Sequence, residues 1–468
     1  MGYQESLLHG FFYPTSVAVV GASRNPTRIG HHLLANLVRL GFQGRIYPVH
    51  PEPGEMLGLR TYRQIGEIPE VVDLAVIGLP HELTPGMLER CARRGIKRAV
   101  LVAGGFSETG EKGKEVQLGM KELLRRFGMR AIGPNALSPI NAQNGLAVSF
   151  HPLERLPSGG LSLIFQSGLY EPRLEWLLGP FGLRLNKLMD LGNKMDVQEV
   201  EVLSYLAEDP ETRVIGIHLE SAEGGTREFI EAIKVATRKV PVVVLKGGRT
   251  EAGVRAAASH TGVMAGGEDK LWDAALRQAG AIRAQGIEEF FDLCKALERL
   301  SRAEMGGPRV ALATLPGGEG VIVTDLCQML GLEPAQVSSR TIERLRPVFP
   351  GWDVGGNPFD LGVCVQFHNP VDVYGLYLES MLEEPGVDAV AVMLPRWASR
   401  LPESFLRPFE MVCRSRKPVV VWIPGMYGGE HPPLEWLEQR GVPVFPSSEK
   451  AICALAALYR VSRLRKAA

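Results

Sequence analysis

Residues 16–23 read SVAVVGAS, a short apolar run that breaks at a glycine, and residues 28–37, RIGHHLLANL, follow with helical spacing. A β-branched run without polar alternation marks a strand covered on both faces, as in a parallel sheet. The unit recurs along the chain. DLAVIGLP (73–80), RAVLVAGGF (98–106) and MRAIGPN (129–135) occupy the first third, and LSLIFQSG (161–168), RVIGIHLES (213–221) and VPVVVLKGG (240–248) the middle. RVALATLPGG (309–318), AVAVMLPR (389–396) and PVVVWIPG (418–425) occupy the last. Buried strands alternating with helices predict an α/β protein of three tandem doubly wound units. Pro/Gly/Ser stretches at LERLPSGG (153–160) and SRAEMGGP (301–308) set the expected domains at 1–155, 156–302 and 303–468. The second and third units echo each other: each has a strand running into a Gly-rich turn, then an Asn–Asp segment, LGNKMDV (191–197) or GGNPFDLG (355–362).

The totals agree with a large packed core. The 468 residues are 45% hydrophobic and 22% charged, and roughly 100–200 residues per domain gives about three domains. Lys plus Arg equals Asp plus Glu at 52 each, so net charge gives no reason to expect nucleic acid or an anionic membrane as partner. The cysteines at 91, 294, 327, 364, 413 and 453 contain no CxxC pair, which argues against a metal or redox motif and for reduced thiols in the cytoplasm. MGYQESLLHGFFYP lacks the cationic start and long apolar run of a signal peptide, and no run of about 18 apolar residues predicts a membrane helix.

Three motifs carry chemistry. Gly21, Ser23 and Gly30 shape a turn between strand and helix whose backbone can approach a phosphate. It departs from GxGxxG, and the next strand, RIYPVHP, carries no acidic residue placed to hold a ribose in the NAD manner. A nucleotide-bearing ligand other than NAD is expected. Gln166, Ser167 and Gly168 are expected at one helix N-terminus, and Gly317, Gly318 and Gly320 at another. Free N–H groups and the positive dipole end make such termini anion sites, and two of them could hold a phosphohistidine between them. His260 lies in the polar, small-residue segment ASHTGVMAGG (258–267), read as a loop rather than an apolar helical face. A nucleophilic imidazole needs a partner to fix its tautomer, and Glu220, at the end of the strand VIGIHLE, is the candidate.

Taken in order, these residues resemble the α subunit of the NDP-forming acyl-CoA synthetases (ADP-forming acetate–CoA ligase), relatives of succinyl-CoA synthetase. VVGASRNP, GFQGRIYPVHP, DLAVIGLP, AGGFSETGE and GPNA are similar to that family's CoA-binding domain. FQSG, LGNKMDV, AEDPETRVIGIHLE, KGGRTEAG and ASHTG are similar to its second domain, and LPGGEGVIVTD, GNPFDL and RKPVVVW to its third. The resemblance implies a Rossmann-like CoA-binding domain followed by two flavodoxin-like ligase domains. It implies that acyl-CoA and phosphate give an acyl phosphate and CoA, that the phosphoryl group passes to His260 oriented by Glu220, and that it then passes to ADP, reversibly. It places CoA on Gly21, Ser23, Arg28, Val49, Pro80 and Asn135, and phosphate on Gln166, Ser167, Gly168, Gly317, Gly318 and Gly320. A loop carrying His260 is then expected to swing between two sites. ADP or ATP with Mg2+ is expected on an ATP-grasp β subunit in a hetero-oligomer, since no such segment follows residue 468; the substrate is a small carboxylic acid.

The chain departs from the family pattern in four places. VNPK reads VHPE, with Glu52; GPNC reads GPNA, with Ala136; SQSGAL reads FQSGLY, with Leu169 and Tyr170 expected to line the acyl or phosphate pocket. NSGGPG reads LPGGEG, which sets Glu319 beside a proposed anion site, unfavourably unless it points away. These changes leave open a second reading, a CoA- or acyl-CoA-binding regulatory protein that has lost turnover.

Overall fold

The computed structural model describes residues 3–467 apart from 167, 223–224, 262–268, 352–355, 401–405 and 427–431, and of 258–261, 399–400, 432–433 and 467 it describes the backbone alone. The chain forms two compact units, Met1–Leu178 with Leu183–Gln285, and Gly179–Gly182 with Gly286–Ala468.

The first unit contains two sheets. Its chain passes through β1 (Ser16–Val20), β2 (Arg45–Val49), a small antiparallel pair β3 (Glu55–Met56) and β4 (Leu59–Arg60), then β5 (Leu74–Ile77), β6 (Arg98–Leu101) and β7 (Arg130–Ile132). The first sheet is parallel with order β2-β1-β5-β6-β7. Next come β8 (Ile140–Asn141), β9 (Leu146–Ala147), β10 (Ser158–Phe165), β11 (Leu185–Asp190), β12 (Val214–Leu219), β13 (Val242–Lys246) and β14 (Ile282–Arg283), in the order β14-β13-β12-β10-β11-β8-β9. Strands β10 to β14 are parallel, and the β8–β9 hairpin adds antiparallel to the β11 edge. The chain therefore enters the second sheet before the Pro/Gly/Ser stretch at 153–160.

The second unit is built on β15 (Arg309–Thr314), β16 (Glu333–Pro334), β17 (Phe359–Asp360), β18 (Ala389–Met393), β19 (Val419–Trp422) and β20 (Val444–Phe445), with order β16-β15-β18-β19-β20 and β17 against the end of β15. In each of the three large sheets the first parallel strand is internal, with the second strand on one side and later strands on the other. The winding reverses there, opening a crevice at the carboxyl ends of the strands, where open α/β sheets bind ligands.

The near-continuous apolar runs are explained by burial: Val17, Val19, Ile164, Ile217 and Val244 expose at most 1% of their surface. A single apolar cluster in the first unit draws on both of its sheets, from Val17 and Leu34 to Leu206 and Phe229. Polar stitches join the two halves. Asn36 Nδ2 donates to the carbonyls of Ser149 and His151, both at 2.8 Å. Arg130 pairs with Asp196 at 2.9 Å and Glu201 at 3.0 Å. All six cysteines are free, four of them buried, Cys453 half-buried and Cys413 exposed. No helix among the described residues is long and apolar enough to cross a membrane.

Candidate active site

Gly21, Val49, Pro80 and Asn135 come together as expected, at or just beyond the carboxyl ends of β1, β2, β5 and β7. Gly21 has φ +89° and a Cβ there would lie 2.6 Å from the Gly78 carbonyl oxygen, so the turn requires glycine. Gly30 opens the helix Ile29–Arg39 so close to the turn that a Cβ would lie 1.9 Å from the Gly21 carbonyl oxygen. Arg28 is the extended residue at that helix start, and the Ser23 carbonyl meets the His31 ring at 3.2 Å. The helix start, with arginines at residues 24 and 28 beside it, is a cationic, dipole-positive setting of the kind that holds phosphate. Glu52 does not oppose them outright: Arg24 lies 3.7 Å from its carboxylate.

The second sheet assembles a dense polar cluster at the end of β12. Gln166, just beyond β10, is buried, and its Oε1 accepts from the main-chain N–H groups of both Glu220 and Ser221 at 2.9 Å. Its Nε2 donates to Ser221 Oγ at 2.8 Å. Lys246 Nζ donates to the Glu220 carbonyl at 2.7 Å and that of Gly247 at 2.5 Å. Lys194 Nζ donates to the Ser221 carbonyl at 2.8 Å and lies 3.3 Å from the buried Glu199 carboxylate. Gln166 and Glu220 are thus brought together, and Lys194 and Lys246 join them as members that the motifs do not include. The signal was present: each is a cation embedded in an apolar strand-and-turn segment, LGNKM or VVVLKGG, where a charge needs a reason.

Two local expectations are corrected. His260 does not stand in a loop: its backbone belongs to the helix Glu251–Thr261. Ala256, Ala257 and Ala258 favour helix strongly enough to carry it through the serine, and Thr250 Oγ1 accepts from the Gly253 N–H at 3.1 Å at the helix start. This helix packs beside the 3-10 turn Ser107–Thr109; the His260 side chain and the segment 262–268 lie outside the described residues. Gln166 and Gly168 do not stand at the N-terminus of an extended helix either, and Ser167 lies outside the described residues. A bend leads into a 3-10 turn, Glu171–Arg173, and then a five-residue helix, Leu174–Leu178. Pro172 accommodates that tight turn. Gln166 instead spends its side chain on the main chain of 220–221.

Tyr170, expected to line a pocket, is fully buried: its ring stacks on Phe165 at 4.8 Å and its hydroxyl donates to the Leu137 carbonyl. Beside it Asp190 accepts from the N–H groups of Leu137 at 2.9 Å and Gly192 at 3.1 Å. Burial pushes Asp190 up to about 6, and burial followed by the charge of Asp190 pushes Glu171 up to about 7. Glu108 fastens the first sheet to the second. Its carboxylate accepts from the Gly105 N–H at 2.6 Å and from Asn193 Nδ2 at 2.5 Å. Burial raises its pKa, but those hydrogen bonds outweigh it and hold the group below the usual range.

In the second unit Gly317, Gly318 and Gly320 lie in the first turn of the helix Gly317–Met329, as expected. Glu319 is engaged: Trp422 Nε1 donates to its Oε1 at 2.8 Å. Asn357 is structural, donating to the carbonyls of Val310 and Ala335 and accepting from the Leu312 N–H at 2.7 Å. Asp360 accepts from the Gly362 N–H at 2.8 Å, next to the start of the helix.

Residues 15–140 match a family model described as a CoA binding domain, and residues 158–297 one described as a succinyl-CoA ligase like flavodoxin domain. The α subunit of ADP-forming acetate–CoA ligase I from Pyrococcus furiosus is 36% identical, over 97% of this chain and 98% of its own length. ADP-forming acetate–CoA ligase II from Archaeoglobus fulgidus is 35% identical over 98% of this chain and 67% of its own, longer chain. Among solved structures, a dinucleotide-forming acetyl-coenzyme A synthetase 1 from Ca. Korarchaeum cryptofilum, in complex with phosphate and ADP, superposes with a TM-score of 0.86. It is 30% identical, with 98% of this chain and 97% of that chain covered.

Proposed function

Because this chain belongs to the family of ADP-forming acetate–CoA ligases, we propose that it is the α subunit of such a ligase and relays phosphate through His260. The observation that carries this reading is the end-to-end match with an α subunit, extending through all three sheets. CoA binds over Gly21, Ser23, Arg28, Val49, Pro80 and Asn135. A phosphate oxygen attacks the thioester carbonyl of acyl-CoA, the C–S bond breaks and CoA leaves as the thiol. A ring nitrogen of His260 then attacks phosphorus and the acid leaves as its carboxylate. Glu220 holds the N–H of the other ring nitrogen and stabilises the imidazolium character that develops. The main-chain N–H of Gly168 is the donor proposed for the phosphoryl oxygens in the first unit, and the N–H groups of Gly317, Gly318 and Gly320, in the first turn of the helix Gly317–Met329, are proposed as a separate anion-binding element of the second. ADP, with Mg2+ on an ATP-grasp partner subunit, finally takes the phosphoryl group as the P–N bond breaks. Three of the departures that left a regulatory protein open are accommodated: Glu52 faces Arg24, Tyr170 is in the core and Glu319 is bonded to Trp422.

The test is to mix the chain with its partner, radiolabelled ATP and magnesium. Acid-labile, base-stable label is expected on the wild type and absent from His260→Ala. An unlabelled wild type in a folded, ATP-binding complex would refute the reading. Glu220→Gln is expected to slow labelling roughly ten- to a hundredfold with CoA affinity unchanged; wild-type kinetics would remove Glu220 from the scheme.

A further inference from the structure

Lys246 ends β13 and Lys194 lies in the turn after β11, and each exposes only 4% of its surface. Burying an ammonium is costly, and the cost is borne where the charge has fixed partners. Lys194 has the buried Glu199 carboxylate at 3.3 Å, and both lysines share a set of main-chain partners. Lys246 Nζ holds the carbonyl of Glu220 and Lys194 Nζ that of Ser221, while Gln166 Oε1 holds the N–H of each. The N–H and C=O groups of two consecutive residues are thus all engaged by buried side chains, immediately after β12 ends at Leu219. The Lys246 ammonium also lies 5.3 Å from the centre of the Trp272 ring, which fixes it from a second side. Such a grip fixes the backbone direction from which the Glu220 side chain departs, and charge-assisted bonds are the stronger kind.

We propose that Lys246, together with Lys194, is a positioning residue for His260 phosphorylation, clamping the Glu220–Ser221 main chain so that the Glu220 carboxylate is held for the imidazole. This rests on the relay reading above. Lys246 acts through Glu220 and need not touch substrate.

The charged groups facing Lys246 are Arg283 at the end of β14, Asp269 at the start of the helix Asp269–Gln278, Glu220 and Lys194. Burial first, and then the charge of Arg283, pull Lys246 down to about 8. Above that pH the amine keeps donors but loses the charge that strengthens both bonds, so the clamp weakens as pH rises.

The experiment measures the rate of His260 labelling by radiolabelled ATP and magnesium, with the chain in complex with its partner, for wild type, Lys246→Met, Glu220→Gln and the double variant. Lys246→Met is expected to slow labelling roughly ten- to a hundredfold without changing CoA affinity. The double variant is expected to be no slower than Glu220→Gln, because one variant removes what the other positions. In wild type the rate should fall severalfold on raising pH through about 8, and Glu220→Gln should lack that limb. Losses that multiply in the double variant, or a limb that persists in Glu220→Gln, overturn the proposal. If Lys246→Met does not fold, the two pH profiles decide alone. No label on wild type overturns the relay reading and this proposal together; labelled wild type with multiplying losses overturns this proposal only.

Discussion

Single residues set how closely the two halves of the first unit approach. Gly192, in the turn after β11, has φ +53°, and a Cβ there would lie 2.2 Å from the Pro134 carbonyl oxygen and 2.5 Å from that of Asn135. These are backbone atoms of the segment proposed to meet CoA at Asn135, and the Asn193 N–H donates to the same Pro134 carbonyl at 2.9 Å. Gly192→Ala must either push residues 134–135 away or abandon the turn. The expected cost is about 2 kcal/mol or more, read as a lower midpoint of thermal unfolding, accompanied by weaker CoA binding in calorimetric titration. Wild-type values for both would show that the turn relaxes freely and that Asn135 is not fixed by it.

Between elements, a carboxylate can do what a covalent link does elsewhere. Glu384 follows the helix Pro370–Glu383 and receives the hydroxyls of Ser338 at 2.6 Å and Thr341 at 2.7 Å, where the next-door helix Ser339–Leu345 begins. Burial raises its pKa, but those hydroxyls and the N–H groups of Gly386 and Ser338 outweigh it and bring the group down to about 2. A depressed carboxylate stabilises the fold above its unfolded pKa, near 4.3, and loses that contribution as pH falls toward the folded value. The second unit is therefore expected to lose stability between about pH 4.5 and 2, and Glu384→Gln to flatten that slope in a melting series; an unchanged slope would assign the acid sensitivity elsewhere. Elements of this size were legible in the sequence where periodicity was strong. The largely apolar runs at 16–20, 214–219 and 419–422 are strands because nothing but a doubly covered sheet buries them. What escaped was local. SHTG looked like a loop because its residues are polar, yet the alanines before it extend the helix to Thr261. QSG looked like a helix start, yet its glutamine is committed to the main chain 54 residues away. In the proposed lysine clamp only the lysines stand out, as cations in apolar segments; the carbonyl oxygens they hold are groups that every residue has and no sequence pattern marks.

At the scale of the whole molecule, the proposed steps divide between this chain and its partner. The thioester–phosphate exchange needs acyl-CoA and phosphate, whose proposed binding residues sit at the strand ends of this chain, and the histidine proposed to receive the phosphoryl group is also its own. Only the last transfer, to ADP, calls on a partner, in keeping with relatives such as the Pyrococcus furiosus α subunit, whose name implies a separate second subunit. The Archaeoglobus fulgidus relative, of which this chain covers 67%, has length to spare for a further module. The half-reactions should therefore separate. With acetyl-CoA and radiolabelled phosphate, and with no nucleotide, the isolated chain is expected to release free CoA and acetate and to hold label at His260 with one phosphoryl group per chain. Adding ADP and magnesium should leave that label in place until the partner is supplied, when it should appear in ATP. If the isolated chain makes ATP, the nucleotide site belongs to this chain and the division of labour is wrong. If it releases CoA but takes no label, the acyl phosphate forms here and the relay to His260 needs the partner to bring the phosphoryl group within reach.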